Sequence, residues 1–464
     1  MSDQLTRQLR GRHIQLIAIG GTIGVGLFLG SAKAIRAAGP GLLVSHVLAG
    51  AAVFVIMRAL GELLVRRPTV GALALLAEEF VSPFAGFATA WTYWFMWVAV
   101  GMVEITAIGI YIHYWAPTLP QWVTALGALL LLYSSNLLAV RVFGELEFWF
   151  ALIKVATIVL LIGAGLLVLT TGVSELGATA SVANLWDHGG FFPLGLSGVL
   201  LTLQMVTFAY SGVEVIAMTA AEAQHPQTTI PRAINTIAYR ILAFYIGALI
   251  VIMTLIPWNH LDPIASPFVV VFARLGIPHA GSVVNFVVIT AAASSCNSGL
   301  YTTGRLVFFL ARRRQAPSSL GQLSRAQVPT RSITASAAVM LIGVALNALF
   351  PEKVFVWVTS IALIGTLWTW IIILLAHLGY RRAVAAGQEP PSSFPLRGAP
   401  VANWLVLLFL LIVIAALALD AETRVALYVA PAWFLILRLV YVTTTARGAA
   451  SRYSELDHCS RADP

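Results

Sequence analysis

Along 464 residues, apolar stretches about as long as a bilayer is thick follow one another with little polar sequence between them. A helix needs about 20 apolar residues to cross the hydrocarbon core. Stretches of that kind lie near 14–36, 40–65, 84–112, 121–140, 146–170, 196–222, 237–257, 279–311, 332–350, 354–378, 402–420 and 425–445. A segment in lipid must satisfy its own backbone, so the repeated stretches predict an all-α integral membrane fold of about twelve helices. Composition points the same way: 59% of the residues are hydrophobic and 10% charged, against about 45–50% and 25% in soluble domains.

Two connections, 171–195 and 258–278, hold Gly, Pro, Asn and Asp without periodicity and read as loops. Arg7, Arg10 and Arg12 precede a first stretch too long for a signal peptide, so that span is expected to stay in the protein. Lys and Arg are retained on the cytoplasmic side. With the N-terminus inside, only Lys33, Arg36, Arg274, Lys353 and Arg424 of the 28 basic residues fall at the outer side. The expected organisation is a cytoplasmic tail over 1–13, a first five-span repeat over 14–170 and an outer loop over 171–195. A second five-span repeat follows over 196–378, then a cytoplasmic loop over 379–401, two more spans over 402–446 and a cytoplasmic tail over 447–464.

The formal net charge of +9 calls for no nucleic acid, since a run such as Arg312, Arg313 and Arg314 serves as an anchor to anionic lipid. Cys296 and Cys459 are the two cysteines and form no disulfide framework. The nine histidines make no HExxH or other ligand pair, and neither a Gly-x-Ser-x-Gly nor a phosphate loop occurs. An enzyme, a metal site, a cofactor and ATP-driven pumping are therefore not expected.

Glycine clusters at membrane depth break the rule that a spanning helix satisfies itself. Gly20, Gly21, Gly24 and Gly26 cluster in the first span, and the sixth carries Phe208, Ala209, Tyr210, Ser211, Gly212, Val213 and Glu214 in succession. Each glycine weakens a helix by up to about 1 kcal/mol. Close helix packing is one use for them; paired interruptions, one in each half of an inverted repeat, are the other, and they mark a transporter site. Broken helices expose backbone N–H groups at one end and carbonyls at the other. N–H groups around Gly24 to Gly26 then suit a carboxylate, and carbonyls near Ile23, Phe208 and Ser211 an ammonium.

Ionisable residues at a helix centre cost at least about 2.5–3.5 kcal/mol on insertion scales, which makes Glu104, Lys154 and Glu214 functional candidates. Arg58, Glu62, Glu222 and Arg438 lie nearer helix ends and read as structural. Glu214 either caps the exposed N–H groups of the following half-helix or gates the site. Lys154 has no acidic neighbour one turn away and must find partners on other helices. Glu104 is the carboxyl that a proton-coupled carrier requires, and a static buried ion pair is the alternative for both residues.

With these residues placed, the chain resembles the bacterial amino acid permeases of the amino acid–polyamine–organocation superfamily. The resemblance rests on the stretch from Gln8 to Gln15 leading into Gly20 to Phe28, on Val142 to Phe150, on Glu214 with Ala220 to Ala223, on Ile230 to Asn235, and on Asn297-Ser298. It implies a LeuT-like fold, with a five-plus-five inverted repeat, discontinuous first and sixth helices and alternating access. It also implies proton coupling, with Lys154 standing where relatives hold sodium and Ser294 and Ser295 beside it. Substrate contacts are implied at Ile23, Gly24, Val25 and Gly26 and at Phe208, Ala209, Ser211 and Gly212, with Phe208 as an aromatic gate. Val25 departs from the pattern, since most relatives carry threonine there.

The implied protein is a multi-pass permease of the cell (inner) membrane with both termini cytoplasmic, whose partners are an amino acid, protons and the lipid bilayer. Trp91 to Phe95 and Ser294 to Gly299 resemble permeases for glycine, D-alanine and D-serine, and Leu203 to Tyr210 resembles proline permeases. A small neutral amino acid is the expected substrate, with aromatic amino acids, histidine or 4-aminobutyrate as the alternative. An exchanger or a nutrient sensor of the same fold would share the site residues.

Overall fold

A computed structural model describes residues 24–66, 71–137, 140–215, 217, 226–263, 265–324 and 327–460. Among the described residues the chain is helical throughout, without a strand, and nine helices are long and apolar enough to cross a membrane. Val401–Ala416 is a shorter apolar helix. Several helices run past the apolar stretches. Pro226–Arg240, for example, starts well ahead of its stretch with the polar residues Gln227, Thr228 and Thr229, because a helix satisfies its backbone as well outside hydrocarbon as within it.

Three local features are not legible in the sequence as helix or turn type. Ala72–Phe80 forms a helix between two spans, entered through Gly71 at φ 72°. The connection read as a loop over 258–278 contains a helix, Pro267–Ala273, with proline at its first turn where the missing N–H costs nothing. Finally, Ile241–Ile246 is a π-helical turn joining Pro226–Arg240 to Gly247–Leu255, and such widened turns displace side chains from the α-helical register.

Burial separates a central helix from a lipid-facing shell. Pro83–His113 is the centre, packing on Ala280–Arg312, Val354–Ala385, Gln121–Asn136 and Thr330–Leu349. In the shell, Val159, Leu160, Leu166 and Leu167 of Val140–Thr171 stand exposed, as do Leu405, Leu408 and Leu411 of Val401–Ala416. Runs of exposed leucine and valine of this length make a surface for acyl chains.

Inside, polar side chains are cross-linked between helices. Ser45 meets Thr202 at 2.8 Å, Asn136 donates to Asn297 at 2.6 Å, and Asn347 donates to Thr106 at 2.7 Å. Glu62, read from sequence as structural, accepts from His377 at 3.0 Å, from Arg381 at 3.1 Å and from the Leu396 N–H. Each bond contributes about 0.6 kcal/mol on average in a membrane, and together they fix which helix neighbours which.

Candidate functional site

The first described residue, Gly24, has extended backbone (φ −119°, ψ −163°), and the helix begins at Val25. Val25–Phe28 leads through Leu29, itself in helical conformation, into Gly30–Ala38. The Val25 and Gly26 N–H groups therefore lie ahead of any intrahelical carbonyl, whereas the Leu27 N–H bonds the Gly24 carbonyl at 3.2 Å. Gly20, Gly21 and Ile23, part of the predicted interruption, lie outside the described residues, as does Glu222. At the other end of the short helix, Ser266 donates its hydroxyl to the Phe28 carbonyl at 2.8 Å.

Facing this start is the end of Gly195–Ala209. The α-helix stops at Ala209, Tyr210 to Gly212 form a turn, and a 3-10 turn follows over Val213–Val215. Gly212 has φ 92°, a region that favours glycine. Ser211 N–H closes the turn on the Phe208 carbonyl at 2.9 Å, so one lone pair of that carbonyl is already used. The Ala209 carbonyl accepts from Tyr245 at 3.1 Å, which the π-helical turn presents to it.

Glu214 is fully buried, and the backbone donor that it engages, Gly212, precedes it in the turn, whereas the expected cap is on the half-helix that follows. Glu214 accepts from the Gly212 N–H at 3.3 Å and from Trp370 Nε1 at 3.1 Å. A carboxylate that receives donors from the turn and from a second helix ties the two together. The Ser211 hydroxyl meets Thr366 at 2.9 Å, tying the same turn to Val354–Ala385.

The helix start at Val25 and the helix end at Ala209 come together at Gly26. A Cβ on Gly26 would stand 2.8 Å from Ala209 Cα, so this glycine serves close backbone packing. A Cβ on Gly24 would stand 3.0 Å from Glu104 Oε1 and 3.8 Å from Ser295 Oγ. Between them lies a small cavity of about 20 Å³, lined by Gly24, Gly26, Met96, Trp97, Val100, Glu104, Phe208, Ala209, Ser211, Gly212 and Ser295. Val25 is buried and does not line it.

Glu104 and Lys154, on different helices, are both buried. The Glu104 carboxyl interacts with the Ser295 hydroxyl, the Lys154 ammonium and the Val25 N–H. Its Oε2 has no hydrogen-bond partner among the described residues. Lys154 donates to Ser294 at 2.9 Å, so its partners do come from other helices. The geometry gathers Gly24, Glu104, Lys154, Ser294 and Ser295 into one cluster; Phe208 belongs to the neighbouring helix end and Glu214 to the turn after it. The Val25 N–H, expected to be free, is directed at Glu104.

Sequence reading missed the remaining wall. Trp97 and Val100 stand seven and four residues before Glu104, which places all three on one helical face, and that spacing is the signal that finds them. Thr366, Trp370 and Tyr245 carry no such signal, because their roles come from packing across helices. On the far side of Phe208 and Gly26, which line both spaces, lies a second cavity of about 50 Å³ reached by Lys33, Gln204 and Thr423. Lys33 pairs with Glu422 at 2.8 Å.

A family model described as "Amino acid permease" matches residues 13–451. The chain is 48% identical over 439 residues to the uncharacterized amino acid permease YtnA of Bacillus subtilis (strain 168), covering 95% of each chain. It is 44% identical over 451 residues to the probable threonine/serine transporter YbxG of the same strain, covering 97% of each. To the aromatic amino acid transport protein AroP of Escherichia coli O6:H1 it is 41% identical over 440 residues, covering 95% of this chain and 96% of that protein.

Proposed function

The chain belongs to the amino acid permease family, as a multi-pass membrane transporter and not an enzyme, and from that premise we propose that it imports a small neutral amino acid driven by protons. One observation carries the reading: the helix start at Val25 and the helix end at Ala209 face each other across a cavity that Glu104 enters. An amino acid zwitterion needs donors for one end and acceptors for the other, and opposed helix termini supply both.

In this reading the substrate carboxylate binds at Gly24, Val25 and Gly26, continuing toward Ile23, and its ammonium at the Phe208 to Gly212 turn. The Val25 N–H interacts with the Glu104 carboxyl, so an ionised Glu104 competes with the substrate carboxylate for that donor. A protonated carboxyl accepts more weakly. Proton binding at Glu104 and substrate binding at Val25 therefore favour each other, and by linkage the effect is reciprocal. Lys154, with Ser294 and Ser295, supplies a fixed cation behind the first helix where a sodium ion would otherwise be needed. Glu214 holds the turn and Phe208 separates the two cavities.

The fold we propose is the LeuT-like one: twelve helices, repeats over 14–170 and 196–378, a loop at 379–401, spans over 402–446, and both tails, 1–13 and 447–464, in the cytoplasm of a cell whose inner membrane holds the protein, with 171–195 outside. A small side chain fits best because Met96, Trp97 and Phe208 close around the cavity. The name of YbxG, threonine/serine, agrees with this. The name of AroP favours the second reading, an aromatic substrate, which requires Met96 or Trp97 to move aside.

Uptake of radiolabelled amino acids into proteoliposomes, across a panel and with or without an inward proton gradient, tests substrate and coupling together. Accumulation of glycine, alanine, serine, threonine or proline only with the gradient is the expected result. Uptake that requires amino acid inside the vesicle would make the protein an exchanger, and binding without uptake a sensor.

A further inference from the structure

Away from the candidate site, a cavity of about 540 Å³ opens beside Leu42–Arg66, lined by Phe54, Val55 and Arg58 of that helix and by the loop from Ser393 to Arg397. Among the described residues, none that lines it is acidic. The Arg58 guanidinium lies 3.7 Å over the Phe394 ring, donates to the Pro395 carbonyl at 2.8 Å and to Asn235 at 3.2 Å. It is thereby fixed in place by neutral groups, which hold a cation without cancelling its charge. Arg397 stands near enough to Arg58 for the two charges to oppose each other.

Glu62, one turn along the helix from Arg58, is a carboxylate whose charge acts on it. Both of its oxygens are engaged, by His377 and the Leu396 N–H on one side and Arg381 on the other. Among the described residues neither Arg58 nor Arg397 forms an ion pair. Two guanidinium groups gathered at one rim, with no carboxylate there among the described residues, call for an anion. The floor is different in kind: Phe54 lies one turn back from Arg58, Val55 beside it, and both are half-buried hydrophobics on the same opening.

A free anion would use the rim alone, whereas an anionic phospholipid uses rim and floor together, its phosphate between the arginines and an acyl chain along Phe54 and Val55. We infer that this cleft is a binding site for the headgroup of an anionic phospholipid. Basic pockets between membrane helices suit such headgroups in general. The inference needs only the membrane placement of the chain and does not depend on which substrate is carried.

Native mass spectrometry of the detergent-purified protein tests it, with phosphatidylglycerol and phosphatidylcholine of identical acyl chains and with inorganic phosphate as probes. The wild type is expected to retain phosphatidylglycerol in preference to phosphatidylcholine. Arg397→Gln, which breaks no hydrogen bond or ion pair among the described residues, is expected to weaken that adduct about fivefold, and Arg58→Gln with Arg397→Gln about tenfold or more. Melting temperatures without lipid check that each variant is folded, and Arg397→Gln decides if the double variant is not. Equal phosphatidylglycerol binding by wild type and Arg397→Gln would overturn the site. Inorganic phosphate bound without any preference for the lipid would overturn the lipid in favour of a soluble anion.

Discussion

Glu104 stands where a side chain on Gly24 would begin: a Cβ there would lie 3.0 Å from Glu104 Oε1, against 2.8 Å from backbone at Gly26. The two glycines are therefore constrained by different things, a movable carboxylate in one case and the Ala209 main chain in the other. Gly24→Ala is expected to fold and insert normally but to lower the apparent affinity for substrate about tenfold, since it presses on the donor and carboxyl the substrate would use. Gly26→Ala should instead lower stability by about 1–3 kcal/mol through overpacking. Thermal unfolding in detergent, set beside uptake kinetics, separates the two; a melting loss in Gly24→Ala equal to that of Gly26→Ala would remove the distinction.

Lys154 and Glu104 are a buried cation and carboxyl whose charges interact. Removing one partner of a buried pair strands the other, at about 3–5 kcal/mol. Lys154→Ala and Glu104→Gln are each expected to abolish accumulation driven by a proton gradient. Glu104→Gln, which keeps shape and a hydrogen-bonding oxygen, should still exchange labelled for unlabelled substrate across the vesicle. The check is counterflow and gradient-driven uptake in the same vesicles, and full accumulation by Glu104→Gln would acquit the carboxyl of proton carriage.

Glu214 accepts from two donors that have no need of a proton from it, the Gly212 N–H and Trp370 Nε1. Glu214→Gln places an amide NH₂ against at least one of them, and a buried donor left unsatisfied costs about 1–3 kcal/mol. Trp370→Phe removes one donor and is expected to cost less. Because the two residues share one bond, the double variant should be less destabilised than the sum of the singles. Additive melting shifts would show that the bond is not formed.

How much of this is legible in the sequence depends on the range over which each feature is set. The glycines, Phe208 to Glu214 and the buried Glu104 and Lys154 violate rules that apply to a single helix in lipid, so sequence alone exposes them. Trp97 and Val100 are within reach, because they repeat on the Glu104 face. Tyr245 is not: it reaches Ala209 through a π-helical turn that has no hydropathy signature. Nor is the purpose of Gly26 readable, since packing and substrate binding both ask for a missing side chain, and only the proximity of Ala209 tells them apart. The Val25 N–H reads as open in the sequence and instead interacts with Glu104, a relation between helices far apart in the chain.

Entry to the second cavity runs past a surface ion pair. Lys33 and Thr423 both line that cavity, and Lys33 pairs across its margin with Glu422 at 2.8 Å. Both side chains are about two-fifths exposed, 39% and 43%, so the pair contributes at most about 1 kcal/mol to stability and is weakened by salt. Its position gives it more leverage on opening than on folding, because Lys33 rides on Gly30–Ala38, the continuation of the helix that begins at Val25. Lys33→Met is expected to leave the melting temperature nearly unchanged while speeding the reaction of an impermeant maleimide with Ser360→Cys in the cavity wall, on a background without Cys296 and Cys459. Exchanging the charges, Lys33→Glu with Glu422→Lys, should slow labelling again toward the unaltered rate, and high salt should erase the difference between Lys33→Met and its parent. Labelling that is the same in all of these proteins would detach the pair from the opening of the cavity and leave it as a surface contact.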